Sequence, residues 1–361
     1  MNAQMISAAS RPRFEILPLP EGPADEPLRR SLLAALPPLS EEAAARVVSI
    51  SFLAGAGTRW KASLLEARRA PHAWPAGDVA RAFPLDAPRG LFPVPDFIHS
   101  PGGEGQIAMA AYAFDAVRDI RGHIVVVRGW EKEIDAQALG PAGIGPERRV
   151  FFTQNPGADG QVSGHGDAAM QCMALWQHAR HVVTNFAGDA NSWLTVELAL
   201  RAFAQFDARG IEIGVLIPVA RTEKPSYPVY LDKEGLPAGF WHEKLAASQP
   251  KAAPTAFTNV GIRVYRSDWL RLSLLELKEK YYGTGSDGEV GWHIPGNDPA
   301  KHECALDNVD NFLAEKGLAR VMPISLPREL TPLKSLSEYS AFVRAVQEVQ
   351  QEVSAVRRAP C

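Results

Sequence analysis

Gly55-Ala56-Gly57-Thr58-Arg59 is a run whose residue types could cradle a phosphate chain. Two glycines one residue apart let backbone N–H groups approach an anion closely, and Arg59 adds a fixed cation able to bind phosphate bidentately. No Gly-Lys-Ser/Thr closes the run, so it is not a Walker A loop, and it lacks the third glycine of a dinucleotide fingerprint. A plain strand-to-helix turn would use the same residues. Arg89, in Pro88-Arg89-Gly90, is a further cation on a proline-bounded extended run. It reads either as a second phosphate contact or as a surface arginine.

Such groups need rigid elements to hold them. Val47, Val48, Ile50, Phe52 and Leu53 form a β-branched and aromatic run, predicting a buried strand that enters the glycine bend. Beyond it, strand, loop and helix alternate. The pattern predicts a helix over Gln106 to Val117 and strands over His123 to Arg128 and Phe151 to Gln154. It then predicts a helix over Ala169 to Ala179, a strand over His181 to Phe186, a helix over Thr195 to Phe206 and a strand over Ile211 to Val219. Apolar strands joined through helices imply a doubly wound, mostly parallel α/β sheet, Rossmann-like, with helices on both faces. Ligands of such sheets sit beyond the carboxyl ends of the strands. The Gly55 bend, the Gly164-His165-Gly166 loop and Asp189 all fall there.

The flanking segments differ in texture. Residues 1–46 read as a partly helical N-terminal extension broken at Pro37-Pro38, and residues 60–88 as a long insert. From Arg221 a smaller mixed region follows, with strands over Tyr227 to Leu231 and Phe240 to Lys244, then a helix over Ser267 to Tyr281. The α/β domain is thus expected over 47–313, dividing near 220, with a helical extension over 314–361.

Composition narrows the classes of function. The chain has 361 residues, 46% hydrophobic and 22% charged, which suits an ordinary globular protein with one large core or two modest ones. A formal net charge of -3 offers no basic stripe for nucleic acid and no anchor for an anionic membrane, so any anion must be held locally. Three scattered cysteines make no disulfide framework or Cys-x-x-Cys zinc site and fit a reducing cytoplasm. No run has signal-peptide character or the length of a membrane span. A homo-oligomer is compatible with all of this.

Taken in order, Phe52-Leu53-Ala54-Gly55-Ala56-Gly57-Thr58-Arg59, Pro88-Arg89-Gly90-Leu91-Phe92-Pro93-Val94, Gly164-His165-Gly166-Asp167-Ala168, Gly188-Asp189, Glu243-Lys244, Asn259-Val260-Gly261 and Leu306-Asp307-Asn308-Val309-Asp310-Asn311 form a series. It resembles the sugar-1-phosphate nucleotidyltransferases, or nucleotide-sugar pyrophosphorylases, most of all the UTP-dependent uridylyltransferases, over residues 47–313.

The resemblance implies Mg²⁺-dependent transfer of a nucleotidyl group from a nucleoside triphosphate, UTP favoured, to a sugar 1-phosphate, with release of pyrophosphate. A phosphate oxygen of the sugar attacks the α-phosphorus, so mutual repulsion of phosphates dominates the barrier and countercharge is the main catalytic need. Residues 47–220 become the nucleotide half and 221–313 the sugar half. Ala54, Gly55, Gly57, Thr58, Gln154, Gly164 and His165 would bind nucleotide. Arg59, Arg89 and Lys244 would act on phosphates, and Glu243, Asn259 and Gly261 would hold the sugar. Asp189 and Asp310 would ligate Mg²⁺. The alternative for Asp189 is a helix cap, and Asp307, Asn308 and Asn311 compete with Asp310. Arg89 stands where the family has a lysine, and Lys61 is one source of the missing ammonium. The alternatives are a cytidylyl- or guanylyltransferase for another phosphorylated small molecule, such as a cyclitol phosphate, and a non-catalytic sensor of nucleotide or sugar phosphate.

Overall fold

The computed structural model describes residues 24–53, 58–157, 162–225, 227–241, 253–286, 288–298 and 302–358. Two helices, α1 (Glu26–Ala35) and α2 (Glu41–Ala45), are capped by the side chains of Asp25 and Ser40 and lead into β1 (Val47–Phe52). On the far side of residues 54–57, α3 (Thr58–Arg69) and α4 (Gly77–Ala82) occupy much of the expected insert. A hairpin of β2 (Pro93–Pro95) and β3 (Gln106–Ala108) follows, then α5 (Ala110–Val117), β4 (Gly122–Val127), α6 (Glu131–Ile134) and β5 (Arg149–Thr153). Next come α7 (Gly164–Gln171), α8 (Met173–Trp176), β6 (His181–Phe186), α9 (Trp193–Ala208) and β7 (Val215–Arg221). The second half holds β8 (Pro228–Leu231), β9 (Pro237–Phe240), β10 (Ala253–Asn259), β11 (Arg263–Arg266) and α10 (Ser267–Tyr281). A ribbon of β12 (Tyr282–Thr284) and β13 (Val290–Trp292), then α11 (Leu306–Glu315), β14 (Ala319–Ser325) and α12 (Tyr339–Arg358), complete the chain.

The central sheet runs β5-β4-β1-β6-β11-β7-β10-β8-β9, with β14 also paired to β7. Strands β5, β4, β1 and β6 are mutually parallel, as are β14 and β7. Strand β11 is antiparallel to both its neighbours, and β10, β8 and β9 form an antiparallel flank. Alternate residues feed opposite faces. Ile124 and Val126 of β4 join one core and Val125 and Val127 another, while β7 divides Val215, Ile217 and Val219 from Leu216 and Ala220. Helices therefore cover both faces of a mixed sheet whose core is parallel, as the apolar strands require.

Several boundaries differ from expectation. Gln106, Ile107 and Ala108 are strand rather than helix because Pro95, Val94 and Pro93 pair with them. Strand β7 starts at Val215, since Gly214 presses against Leu313, whose Cδ2 would lie 2.7 Å from an added Cβ. The expected division at 220 runs through one sheet, because β11 lies between β6 and β7. The sheet also continues past 313: β14 belongs to it, and Pro323 with a register shift near Ser325 hides the strand pattern in the sequence. Among the described residues no helix is long and apolar enough to cross a membrane.

Both ends of the described chain are pinned by buried charge. The fully buried Arg29 of α1 is ion-paired with Glu329, lies 3.4 Å from Glu352 of α12, and donates to Ser192 and Thr195 at 3.0 and 3.2 Å. Arg328 also bonds Glu352 at 2.7 Å. Arg29→Ala is expected to cost about 3–5 kcal/mol, because it leaves buried carboxylates without their partner. Chemical denaturation of the variant checks this, and a loss below about 1 kcal/mol would contradict the pinning role.

Candidate active site

Register brings the chemistry together. Phe52 pairs with Phe186, so the carboxyl ends of β1 and β6 lie side by side. Strand β11 runs antiparallel to β6 with Arg263 opposite Thr184, which returns Gly261 to the same end. Gly261 has φ +84°, and a Cβ there would lie 2.5 Å from Asp189 Oδ2. Glycine is needed here for the backbone conformation and because the carboxylate lies against it. Asn259 fixes the turn, its Oδ1 accepting from Gly261 N at 3.3 Å.

Asp189 is not the helix cap. Ser192 caps α9, its Oγ accepting from Leu194 N at 3.2 Å. Burial raises the pKa of Asp189, while Arg89, Lys334 and Arg263 oppose that shift from nearby. Among the described residues no cation forms a direct ion pair with the Asp189 carboxylate.

Arg89 lies in a 3₁₀ turn, Arg89–Leu91, with its guanidinium against the Cα of Gly188: a Cβ at 188 would come within 2.1 Å of Nη2. Burial lowers the Arg89 pKa; Asp189 and Glu338 raise it, and Arg59 lowers it further. Arg59 sits in the first turn of α3, where unpaired N–H groups and the helix dipole also favour an anion. Thr58 begins that helix and is exposed. Lys61 is exposed on the same helix.

Tyr227 extends the cluster. Burial raises its pKa, and its hydroxyl senses Asp307, Arg263, Glu303 and Arg59. Arg59, Tyr227, Asp307, Arg263, Asp189 and Arg89 thus form an electrostatically connected series around the strand ends. A hollow of about 490 Å³ adjoins the Arg89 turn through Leu91 and Pro93, but the charged groups of the cluster do not line it.

The pairing of Asp310 with Asp189 over one cation is not supported. Asp310 lies on α11, fully buried, with Oδ2 accepting from Arg263 Nε at 2.7 Å and Oδ1 from Tyr265 Oη at 2.6 Å. Both oxygens are committed within the protein, and burial pushes its pKa up to about 6. Its competitors are committed too. Asp307 accepts from Arg263 Nη2 at 2.5 Å, Asn308 from Ala305 N at 2.8 Å and Asn311 from Phe240 N at 2.6 Å.

The residues expected under the base also have internal duties. Gly164 and His165 are in the first turn of α7, not in a loop. Gly164 has φ +88°, and a Cβ would meet the Cys304 carbonyl oxygen at 2.4 Å. His165 Nδ1 accepts from Leu306 N at 2.8 Å, and its ring packs on Phe52 and Phe186 with centroids 6.0 and 4.9 Å away. Desolvation lowers its pKa to about 4, so the imidazole is neutral. Gln154 is buried and donates to the Gly164 carbonyl at 3.1 Å. Ala54, Gly55, Gly57, Glu243 and Lys244 lie outside the described residues.

Lys334 and Glu338 escaped sequence reasoning. The run after β14 passes the strand ends, with Leu333 N donating to the Gly188 carbonyl at 2.9 Å, and thereby carries Lys334 to Asp189. Ser335 and Glu338 do show the Ser-x-x-Glu spacing of a capping box, but that spacing says nothing of where the lysine goes.

Among the described residues no group of three or more His, Cys, Asp or Glu side chains could hold a metal ion. Magnesium needs less, since it keeps waters and takes one or two carboxylates plus substrate phosphates. Asp189, uncommitted and beside phosphate-type cations, fits that role.

No protein-family model matches the chain, and no curated protein matches it. Among solved structures it is similar to a Bacillus anthracis protein assigned as a glucose-1-phosphate thymidylyltransferase, solved in complex with sucrose. The TM-score is 0.52 at 13% identity, covering 84% of this chain and 95% of that one. The likeness is one of fold.

Two outcomes follow from this packing. Gly188→Ala is expected to displace the Arg89 side chain while leaving the fold intact, so phosphate-ligand binding falls with little change in melting temperature; unchanged binding would refute the Arg89 placement. His165 titrates below its unfolded value of 6.5, so the native state binds fewer protons between pH 6.5 and 4. Its stabilising contribution is full above pH 6.5 and is lost as pH falls toward 4. His165→Asn keeps an acceptor for Leu306 N and should flatten this acid limb by up to about 1.4 kcal/mol per pH unit in denaturation midpoints.

Proposed function

We propose that the chain is a nucleotidyltransferase joining a nucleoside triphosphate to a sugar 1-phosphate and releasing pyrophosphate. The observation that carries this reading is the gathering of Arg89, Lys334 and Arg263 around Asp189 at the ends of the parallel strands, with Arg59 bearing on Arg89. That is a set of fixed cations with one carboxylate, and it suits crowded phosphates better than an acid–base or covalent mechanism. The fold shared with a protein assigned as a glucose-1-phosphate thymidylyltransferase supports the same class.

In this reading the N-terminus of α3 and Arg59 receive the triphosphate, with Gly55 and Gly57 approaching it through the backbone. Arg89 and Lys334 bracket the phosphates that meet at the α-phosphorus, lowering the repulsion between attacking and leaving oxygens. Asp189 would hold Mg²⁺, which when bound would supply countercharge to the phosphates. Lys244, Glu243, Asn259 and Gly261 remain assigned to the sugar phosphate side. His165 has no proton to give at neutral pH, in keeping with a transfer that needs no general acid. UTP is the first donor to test and dTTP the second, the latter because the structural neighbour is named for thymidylyl transfer.

The test is pyrophosphate release from each nucleoside triphosphate against a panel of sugar 1-phosphates with Mg²⁺. Turnover is expected with a pyrimidine nucleotide, to vanish with EDTA and to return with added Mg²⁺. Asp189→Asn and Lys334→Ala should each lower kcat by about 10²–10³, the size of a lost electrostatic contact to a transition state. No release from any pair would defeat the reading.

A further inference from the structure

We propose that Glu338 is a positioning residue that fixes the backbone of Lys334 beside the Arg89 turn, so that the lysine can join the arginine in gripping the same phosphate-bearing ligand. This rests on reading the site as a phosphate-transfer centre.

The run from Thr331 to Glu338 crosses the strand ends under close restraint. Leu333 is buried and its N–H is held by the Gly188 carbonyl at 2.9 Å, on the residue against which Arg89 lies. One residue on, the backbone N–H groups of Lys334 and Ser335 both donate to Glu338 Oε2, at 2.5 and 2.8 Å. Glu338 N returns a bond to Ser335 O at 3.1 Å, and Leu336 N is held by Ser63 Oγ of α3 at 3.2 Å. Tyr339 then packs edge-on against Phe92, three residues after Arg89, with centroids 6.0 Å apart. The lysine is thus fixed by its backbone while its side chain stays free to meet a ligand.

The same carboxylate bears on Arg89, whose pKa it raises together with Asp189. Along the site the charges alternate as Lys334, Asp189, Arg89 and Glu338. A carboxylate at the start of α12 would also satisfy an ordinary helix terminus, and that bland role accounts for the hydrogen bonds but predicts no change in ligand affinity when Glu338 is altered.

The two roles separate in a double-mutant cycle on the full chain, with Mg²⁺ and inorganic pyrophosphate as probe in calorimetry and melting temperature as the control. Glu338→Ala and Lys334→Ala should each raise the Kd for pyrophosphate about tenfold, the effect of one charge-assisted contact. The double variant should bind no worse than Lys334→Ala alone, because Glu338 acts through the lysine. Glu338→Gln still accepts both N–H groups and should stay within about threefold of wild type. Glu338→Asp keeps the charge, withdraws the acceptor by one methylene and should lose affinity as alanine does, which keeps the test open if the alanine variant folds poorly. Wild-type affinity in the Ala or Asp variant, or losses that multiply in the double variant, would overturn the proposal while leaving the functional reading standing. A wild-type chain that binds no pyrophosphate would instead remove the functional reading and the inference with it.

Discussion

An acid kept among cations yet touching none of them is the constraint around which this structure is arranged. Asp189 is half-buried beyond β6, where Arg89, Lys334 and Arg263 bear on it without a direct ion pair among the described residues. A carboxylate buried this way costs free energy unless something completes its surroundings. The cost is tolerable because three separate chain segments bring positive charge near it, and those segments are the ones the strand register places together. Gly261 and Gly188 have lost their side chains to the same crowding: one makes room for the acid and the other for Arg89.

A second acidic centre lies below and is chemically different. Asp307 and Asp310 are three residues apart on α11, so both reach Arg263 on the facing strand, and Tyr265 closes the remaining oxygen of Asp310. This centre ties helix to sheet. Arg263 also bears electrostatically on Asp189. Removing one member would leave the others buried and unpaired, which is a structural loss before it is a functional one.

The parallel half of the sheet was legible because Ile124 to Val127 and the pair Val182 and Val183 put apolar side chains on both faces, and only a covered sheet can bury them. The position of Asp189 beyond a strand end was legible for a related reason, since it follows a strand of that kind. The sequence misled where one residue type serves two purposes. Gly164 looks like a ligand-facing glycine, yet the Cys304 carbonyl excludes its side chain, and that carbonyl comes from a segment some 140 residues away. Asp310 looks like a strand-end ligand, but an arginine nearly fifty residues earlier consumes it. Lys334 carries no periodic or motif signal, because its position depends on β14, a strand interrupted by Pro323 and paired in the middle of the sheet.

The late place of Lys334 in the chain has a consequence for biosynthesis. A polypeptide is made from its N-terminus, and the bend, Arg59, Arg89, Asp189 and the turn at Gly261 all emerge before the run that follows β14. The growing chain can form its parallel strands early, but the lysine beside Asp189 arrives only after β14 has been made. Until that segment docks on Gly188, the early strands hold Asp189 beside Arg89 and Arg263 alone.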